Sequence, residues 1–394
     1  MSFILPIEAS RRGACPTLDA PMQTGDGLLA RIRLADGRID PFRLERLAVV
    51  CGTYGNGIME ITARGNLQVR GLTEAVVADF AAEVRQIISV DTGLVVETPP
   101  LAGDDPLEFV DPRPLAAQIR TLAGPLSAGF GPKVTVVVDG NGQIGLERLK
   151  ADLRLVAVGT SRWLIWVGSR LLGTTAQPLE CAGVVLRALA ALGRQGRATD
   201  LSAEPLDLAL DALVEASAAV FQPVTAPVGQ FQLREGTVTG LGLPFGAIGW
   251  ESMAALADGA SRFGISEFRL GPHHSVLAVG ADASLLEEVA SIGFITDSRD
   301  PRGRISACIG SDGCASGHIA ARAVASRLAP GLGKGMELHV SGCAKGCAHP
   351  GSANVTLVGR ADGYGLVIDG RAGDMPRAVL RADELEMAVS MGQG

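Results

Sequence analysis

Four cysteines in two separated loops constrain this chain more than any other feature. Residues 306–330 read SACIGSDGCASGHIAARAVASRLAP and residues 337–350 read ELHVSGCAKGCAHP, giving C-x5-C at Cys308 and Cys314 and C-x3-C at Cys343 and Cys347. Thiolates drawn together from two loops make a soft, electron-rich pocket suited to zinc or to an iron–sulfur cluster. Structural zinc usually takes tight knuckles, and the five-residue gap of the first pair fits that poorly. Gly310, Gly313, Gly342 and Gly346 interleave the cysteines. Backbone N–H groups can therefore approach the sulfurs and tune a redox centre. Four unconnected buried thiols, or a disulfide pair, are the plainer alternatives.

The rest of the composition bounds what such a pocket can serve. With 394 residues, the chain is long enough for two to three domains with real cores. Aromatics make up only 4% of the residues, so those cores must be packed from Ala, Val, Leu and Ile. A net charge of −7 argues against nucleic acid as a partner, because phosphate binding needs a basic face. Lysine occurs only at Lys133, Lys150, Lys334 and Lys345, so positive charge is carried by arginine, the better fork for carboxylates. A G+C-rich genome would give the same bias. The opening MSFILPIEAS has too short an apolar run for a secretory signal, and no window reaches the roughly 18 apolar residues of a membrane span. No membrane partner is expected. Seven cysteines, an odd and clustered set, fit a reducing cytoplasm better than a disulfide framework. Cys15, Cys51 and Cys181 default to small buried hydrophobes.

Read in order, the elements suggest a duplication. Alternation predicts strands at 28–34, 58–63 and 67–70, and helical spacing predicts helices at 41–50 and 73–90, with Pro41 in a first turn and Thr73 as a cap. The same order returns from about residue 228, with helices at 250–261 and 282–292. An offset of 209 superposes Leu44 on Met253, Leu47 on Leu256, Val76 on Leu285, Phe80 on Val289 and Gly71 on Gly280. Two β-α-β-β-α copies can pair about a pseudo-two-fold axis and leave a central cleft. Between them, helices at 111–126, 178–196 and 204–219 and strands at 133–140, 153–159 and 162–168 predict an α/β domain. Pro223–Pro227 reads as a linker. The final segment should hold strands near 336–341, 353–359 and 364–368 and a closing helix near 383–391. GLGLPFG, 240–246, lacks the strand–turn–helix frame of a dinucleotide loop and reads as a turn.

The cysteine spacing resembles the cluster motif of the siroheme sulfite and nitrite reductases, and SGCAKGCAHP followed by TLVG is most similar to their aerobic vitamin B12-pathway relatives, the precorrin-3B synthase family. The resemblance implies an α+β fold of two pseudo-symmetric ferredoxin-like half-domains plus two α/β domains: 17–92 and 226–297 as the paired halves, 105–222 as the central domain, 300–394 as the cluster domain. It implies a 4Fe–4S cluster on Cys308, Cys314, Cys343 and Cys347, a mononuclear non-haem iron, and oxygen-dependent hydroxylation of precorrin-3A at C20 with lactone formation. Dioxygen is then the co-substrate. The chain shows no flavin or nicotinamide site, so electrons should come from an external NADH-linked reductase or a ferredoxin.

ITARGNLQVRG resembles the family's tetrapyrrole-binding hairpin. Arg64, Asn66 and Gln68 are the candidate substrate ligands, with Arg31, Arg33 and Arg70 as weaker ones, because strand alternation could place any of them outward; a precorrin carries up to eight rim carboxylates that forked arginines bind bidentately. A solvated Arg-rich hairpin is the plain alternative. The 209 offset places His273 on Arg64 and His274 on Gly65. The pair reads either as satisfied surface histidines or as catalytic residues, contacting substrate or ligating iron. Lys133 matches the first of two family lysines that hold sulfite or nitrite, but the second position is Thr135. Leu94 and Val95 stand where the family usually carries Arg-Asn. Both departures count against a siroheme-dependent sulfite or nitrite reductase, the first rival. A non-catalytic electron carrier or tetrapyrrole-binding module is the second.

Overall fold

The computed structural model describes residues 15–217, 226–281 and 284–391. The reading of the N-terminal run before Cys15, and Pro223 to Thr225 of the expected linker, fall outside them. The chain divides into two compact units, Met1–Met22, Asp91–Thr225 and Gln232–Glu235 forming one and Gln23–Val90, Ala226–Phe231 and Gly236–Gly394 the other. The fold is α+β, and the described residues contain four five-stranded sheets.

The first half of the larger unit runs β1 (Met22–Thr24), β2 (Gly27–Ile32), β3 (Arg38–Ile39), α1 (Pro41–Tyr54), β4 (Ile58–Ile61), β5 (Leu67–Leu72) and α2 (Val77–Ile87). Helix α1 starts where its sequence dictates: the Asp40 side chain accepts from Arg43 N at 3.0 Å, and Pro41 takes the first turn, where its missing N–H is no loss. Leu44, Leu47, Ala48 and Cys51 recur at helical spacing and are buried. Each such leucine contributes roughly 2 kcal/mol. Helix α2 begins later than its periodicity predicts. Thr73 caps nothing with its side chain; its carbonyl accepts from Val76 and Val77 in a turn that delays the helix to Val77.

The smaller unit follows with β6 (Val95–Glu97), α3 (Arg113–Ala123), β7 (Thr135–Asp139), β8 (Leu153–Ala157), β9 (Trp163–Val167), β10 (Arg170–Thr175), α4 (Pro178–Ala191) and α5 (Ala203–Leu210). Its sheet runs β10-β9-β8-β7-β6, and its core strands are buried along their whole length, as strands covered on both faces must be. Val95–Glu97 belongs to this sheet, so the unit begins before residue 105. Asp139 lies deep inside it. Burial pushes its carboxyl up to about 6, although the N–H groups of Leu146 and Asn141 donate to it.

The second half repeats the first: β11 (Gly229–Gln232), β12 (Thr237–Gly242), β13 (Ala247–Gly249), α6 (Trp250–Asp258), β14 (Glu267–Gly271), β15 (Ser275–Val279) and α7 (Leu285–Ser291). Helices α1 and α6 begin at 41 and 250, 209 residues apart, and β4 and β14 begin at 58 and 267, again 209 apart. Gly71 and Gly280, equivalent in the repeat, share a left-handed φ of 75° and 83°. The two sheets are β1-β2-β5-β4-β13 and β11-β12-β15-β14-β3. Each half thus lends its third strand to the other: Ala247 pairs with Glu60, and Ile39 pairs with Phe268. Trp250 lies against Gly52 of α1, where a Cβ would sit 2.5 Å from the indole. Any larger residue at 52 would force the helices apart.

The final segment runs β16 (Ile305–Ala307), α8 (Ala321–Leu328), β17 (Leu338–Ser341), β18 (Ala353–Arg360), β19 (Gly363–Gly370), β20 (Ala378–Leu380) and α9 (Leu385–Met391). Strands β16, β17 and β18 are parallel and β18, β19 and β20 antiparallel. Among the described residues no helix is long and apolar enough to cross a membrane.

Candidate active site

Parallel neighbours β16 and β17 end on the same edge of their sheet, and each end delivers a cysteine loop: Cys308 directly follows Ala307, and Cys343 follows Ser341 and Gly342. Crevices beyond the carboxyl ends of parallel strands are the usual ligand sites of such sheets. The two loops are fastened together. His318 N donates to Gly342 O at 2.8 Å, Lys345 Nζ to Ser316 Oγ at 3.0 Å, and Gly342 N to Cys308 Sγ at 3.1 Å. Gly310 has a φ of +65°, and a Cβ there would meet Ile319 O at 2.2 Å. The loop closes only because that position is glycine.

All four cysteines line one cavity of about 290 Å³, shared with Arg31, Gln68, Arg70 and His274 from the two halves. Cys308, Cys314 and Cys343 are half-buried and Cys347 is exposed. Among the described residues, no three His, Cys, Asp or Glu side chains meet closely enough to hold one metal ion. Cys51 and Cys181 are buried elsewhere, with burial raising both thiols, and Cys15 is half-buried.

Strand alternation explains which hairpin residues reach the cavity. Leu67 and Val69 of β5 point into the core, so Gln68 and Arg70 share the other face. Gln68 sits opposite Arg31 on β2 and opposite Glu60 on β4, forming a polar row across three strands. Arg31 Nη2 donates to Gln68 Oε1 at 3.1 Å, and Gln68 Nε2 donates to Glu60 Oε2 at 2.5 Å. Arg70 grips Asp26 with two bonds of 2.7 and 2.8 Å. Burial alone would raise the Asp26 carboxyl, but hydrogen bonds from Arg70 and Thr24 outweigh it and hold it below the usual range.

His274 enters from the second half. It and His273 have left-handed φ values of 62° and 54°. Such a conformation strains a residue with a Cβ and clusters at functional sites. Phe245 (φ 57°) also lines the cavity, and the adjacent Gly246 leaves room for His274, since a Cβ there would lie 2.5 Å from Nδ1. His274 Nδ1 lies 2.6 Å from Ile61 O. A carbonyl only accepts, so Nδ1 carries the proton and Nε2 keeps its lone pair. Burial lowers the pKa of His274, against the Ile61 bond and the charge of Glu60. The ring is neutral near pH 7.

Of the residues singled out from sequence, Arg31, Gln68, Arg70, His274 and the four cysteines line the cavity, whereas Arg33, Arg64, Asn66 and His273 do not. Lys133 belongs to the smaller unit, half-buried just before β7. Glu60 and the Phe245 turn were missed. Of GLGLPFG, read as a turn throughout, Gly240–Gly242 instead end strand β12, and only the turn at Pro244–Gly246 walls the site.

The nitrite/sulfite reductase ferredoxin-like half-domain family matches residues 20–87. A precorrin-3B synthase from a Sinorhizobium species is 39% identical over 94% of this chain and 86% of its own length. A ferredoxin–nitrite reductase of Synechococcus elongatus is 25% identical over 85% of this chain and 77% of its own. Among solved structures, the NirA protein of Mycobacterium tuberculosis superposes with a TM-score of 0.67 over 91% of this chain and 79% of its own, at 18% identity, a likeness of fold alone.

Proposed function

The chain belongs to the precorrin-3B synthase family, within the nitrite and sulfite reductase superfamily, and from that premise we propose that it is an oxidoreductase converting precorrin-3A to precorrin-3B. The observation that carries the reading is the shared cavity: four thiols from the C-terminal loops, with Arg31, Gln68 and His274 from the duplicated halves. The reaction hydroxylates C20 and closes a lactone with the ring A acetate. One atom of dioxygen enters the macrocycle, and the other leaves as water with two electrons from an external reductase or ferredoxin. The protein would work in the cytoplasm.

The donor set supports a 4Fe–4S cluster on Cys308, Cys314, Cys343 and Cys347. A cube offers four separate irons, each taking one thiolate, whereas zinc needs its thiolates around one point, about 2.3 Å away. The Gly342 N–H already aimed at Cys308 Sγ is the kind of bond that tunes such a centre. When bound, the cluster supplies one-electron transfer. The described residues fit a mononuclear iron less well: no two-histidine, one-carboxylate set converges, and no step is assigned to it.

The chain's own residues do the seating. Arg31 and Gln68 present a guanidinium and an amide to a rim carboxylate, and Arg64 and Asn66 near the hairpin tip would extend that contact. Binding energy from such remote carboxylates positions the reacting carbon. Neutral His274 offers Nε2 as proton acceptor within the cavity, the task expected for the proton lost from the C20 hydroxyl or the acetate as the lactone closes. A siroheme-dependent reductase remains the second reading on the resemblance of the cysteine loops, but its small oxyanion needs dense positive charge, which Thr135 in place of a second lysine diminishes.

Incubating anaerobically purified, cluster-replete protein with precorrin-3A and reductant, with and without isotopically heavy dioxygen, tests the proposal. The expected product gains one labelled oxygen atom. Absence of any oxygen-dependent product, or a siroheme Soret band in the pure protein, would overturn it.

A further inference from the structure

A carboxylate in a cavity meant for a polycarboxylate opposes binding unless it does something else. Glu60 is such a group. It lines the cavity, yet both its oxygens are engaged: Oε2 accepts from Gln68 Nε2 at 2.5 Å, and Oε1 from Arg322 Nη2 at 2.6 Å, with Arg70 Nη1 4.0 Å away. The acceptor matters for orientation. A side-chain amide has one donor end and one acceptor end. With Glu60 holding the NH₂ of Gln68, its carbonyl oxygen must face Arg31, and Arg31 Nη2 takes it at 3.1 Å. Without Glu60 the amide could turn its NH₂ toward the guanidinium and push it away.

Arg322 stands near the start of α8, on the connection that leaves the Cys314 loop. Glu60 therefore joins the carboxylate-facing row to the cluster-bearing segment. A second tie runs in parallel: Arg70 grips Asp26, Ala315 N donates to Gly25 O at 3.1 Å, and Gly25 lies so close to Cys314 that a Cβ would sit 2.4 Å from its Sγ.

We propose that Glu60 is a positioning residue that couples the seating of a substrate carboxylate on Arg31 and Gln68 to the Cys314 loop through Arg322. The inference rests on the function proposed above for what the row binds. A carboxylate that draws Arg31 off Gln68 disturbs the Gln68–Glu60 bond, and the disturbance reaches Arg322. Coupling of this kind is reciprocal, so the state of the cluster loop must also alter affinity for the carboxylate.

The test uses cluster-replete full chain and uroporphyrin III, an eight-carboxylate macrocycle, as the probe. Binding is followed by fluorescence, and the reduced cluster by electron paramagnetic resonance with and without probe. In the wild type, the probe should shift the cluster signal. Glu60→Gln and Arg322→Met should each weaken the probe about tenfold, the effect of one charged hydrogen bond. Each should abolish the shift while iron and sulfide contents stay at wild-type levels. The double variant should be no worse than either single one, because both break the same link. Absence of a shift in the wild type, a shift that survives in either variant, or additive losses would overturn the coupling. Should Glu60→Gln fail to fold, Arg322→Met, which keeps Glu60 on Gln68, decides alone. The precorrin-3A assay is separate: a wild type that makes no oxygen-dependent product sinks the functional reading, whereas one that makes product but shows no coupling sinks only this inference.

Discussion

Residues 31, 68 and 60 of the first half and residues 240, 277 and 269 of the second occupy the same row of equivalent sheets. In the first the row reads Arg31, Gln68, Glu60; in the second it reads Gly240, Leu277, Arg269, with the same partners in register. The first row opens on the cavity. The second is shut: Gly240 has no side chain, Leu277 is fully buried, and Arg269 is 4% exposed with Nε on Glu267 at 2.8 Å. Duplication supplied two scaffolds of one design, and only one kept a polar, accessible face. The other gave its row to packing and put its chemistry at the hairpin tip, where His274 occupies the place of Gly65.

Exchanging residues for their counterparts 209 positions away tests that contrast. Gly240→Arg should do most harm. A Cβ there would lie 2.3 Å from Pro227 O, and the guanidinium would be buried unpaired. A loss of about 5 kcal/mol or more, comparable with a domain's whole stability, should appear as insoluble expression. Arg70→Val, which copies Val279, leaves Asp26 with a side chain only 3% exposed and no cation. Urea denaturation at pH 7 should show a loss of about 3–4 kcal/mol. Because the folded Asp26 pKa is depressed, that contribution is full above the unfolded value near 4 and fades as pH falls below it, so the deficit must shrink only in strong acid.

Leu277→Gln should cost about 3 kcal/mol, for lost packing and an amide without partners. The reverse exchange, Gln68→Leu, should change stability by less than about 1 kcal/mol, since the site is open, but weaken uroporphyrin III binding about tenfold. The smallest effect belongs to the tip. The folded pKa of His274 is lowered, so its share of stability is complete above the unfolded value of about 6.5 and declines as pH drops through and below it. His274→Asn keeps a side chain tolerant of left-handed φ and removes the titration. Between pH 7.5 and 5.5 the wild type should lose about 1 kcal/mol more than this variant, as followed by urea midpoints. His339 remains in both proteins; burial depresses it to about 4, and it weakens the fold over the same acid range.

What the sequence disclosed follows from how local each signal is. The repeat was legible because Leu44 with Met253 and Leu47 with Leu256 hold one apolar register without gaps, and these residues are buried in both halves. The cysteines were legible because a thiol has few other uses at that spacing. The choice among arginines was not. Alternation says that Gln68 and Arg70 share a face but cannot say which face opens on a cavity. The hairpin resemblance favours Arg64, at the tip, over Arg31, yet Arg31 lines the cavity and Arg64 does not. Glu60 gave no signal at all, because a lone glutamate on a strand resembles any solvated residue. Helix α8 leaves little trace in the sequence, its short alanine-rich run being hidden among the glycines of the cysteine loops. The lent strands β3 and β13, two and three residues long, carry too little pattern to be seen before their partners are known.

Those lent strands govern how the protein comes off the ribosome. The sheet edge at β4 waits for Ala247–Gly249, and β3 waits for a partner some 230 residues further on, at Phe268 and Arg269. Until then the nascent first half holds an unpaired edge that any other strand could seize. Neither shared sheet is complete until the other half is made, so the walls around the cavity are finished together and late, and a chain stalled near residue 240 carries the smaller unit but neither finished wall.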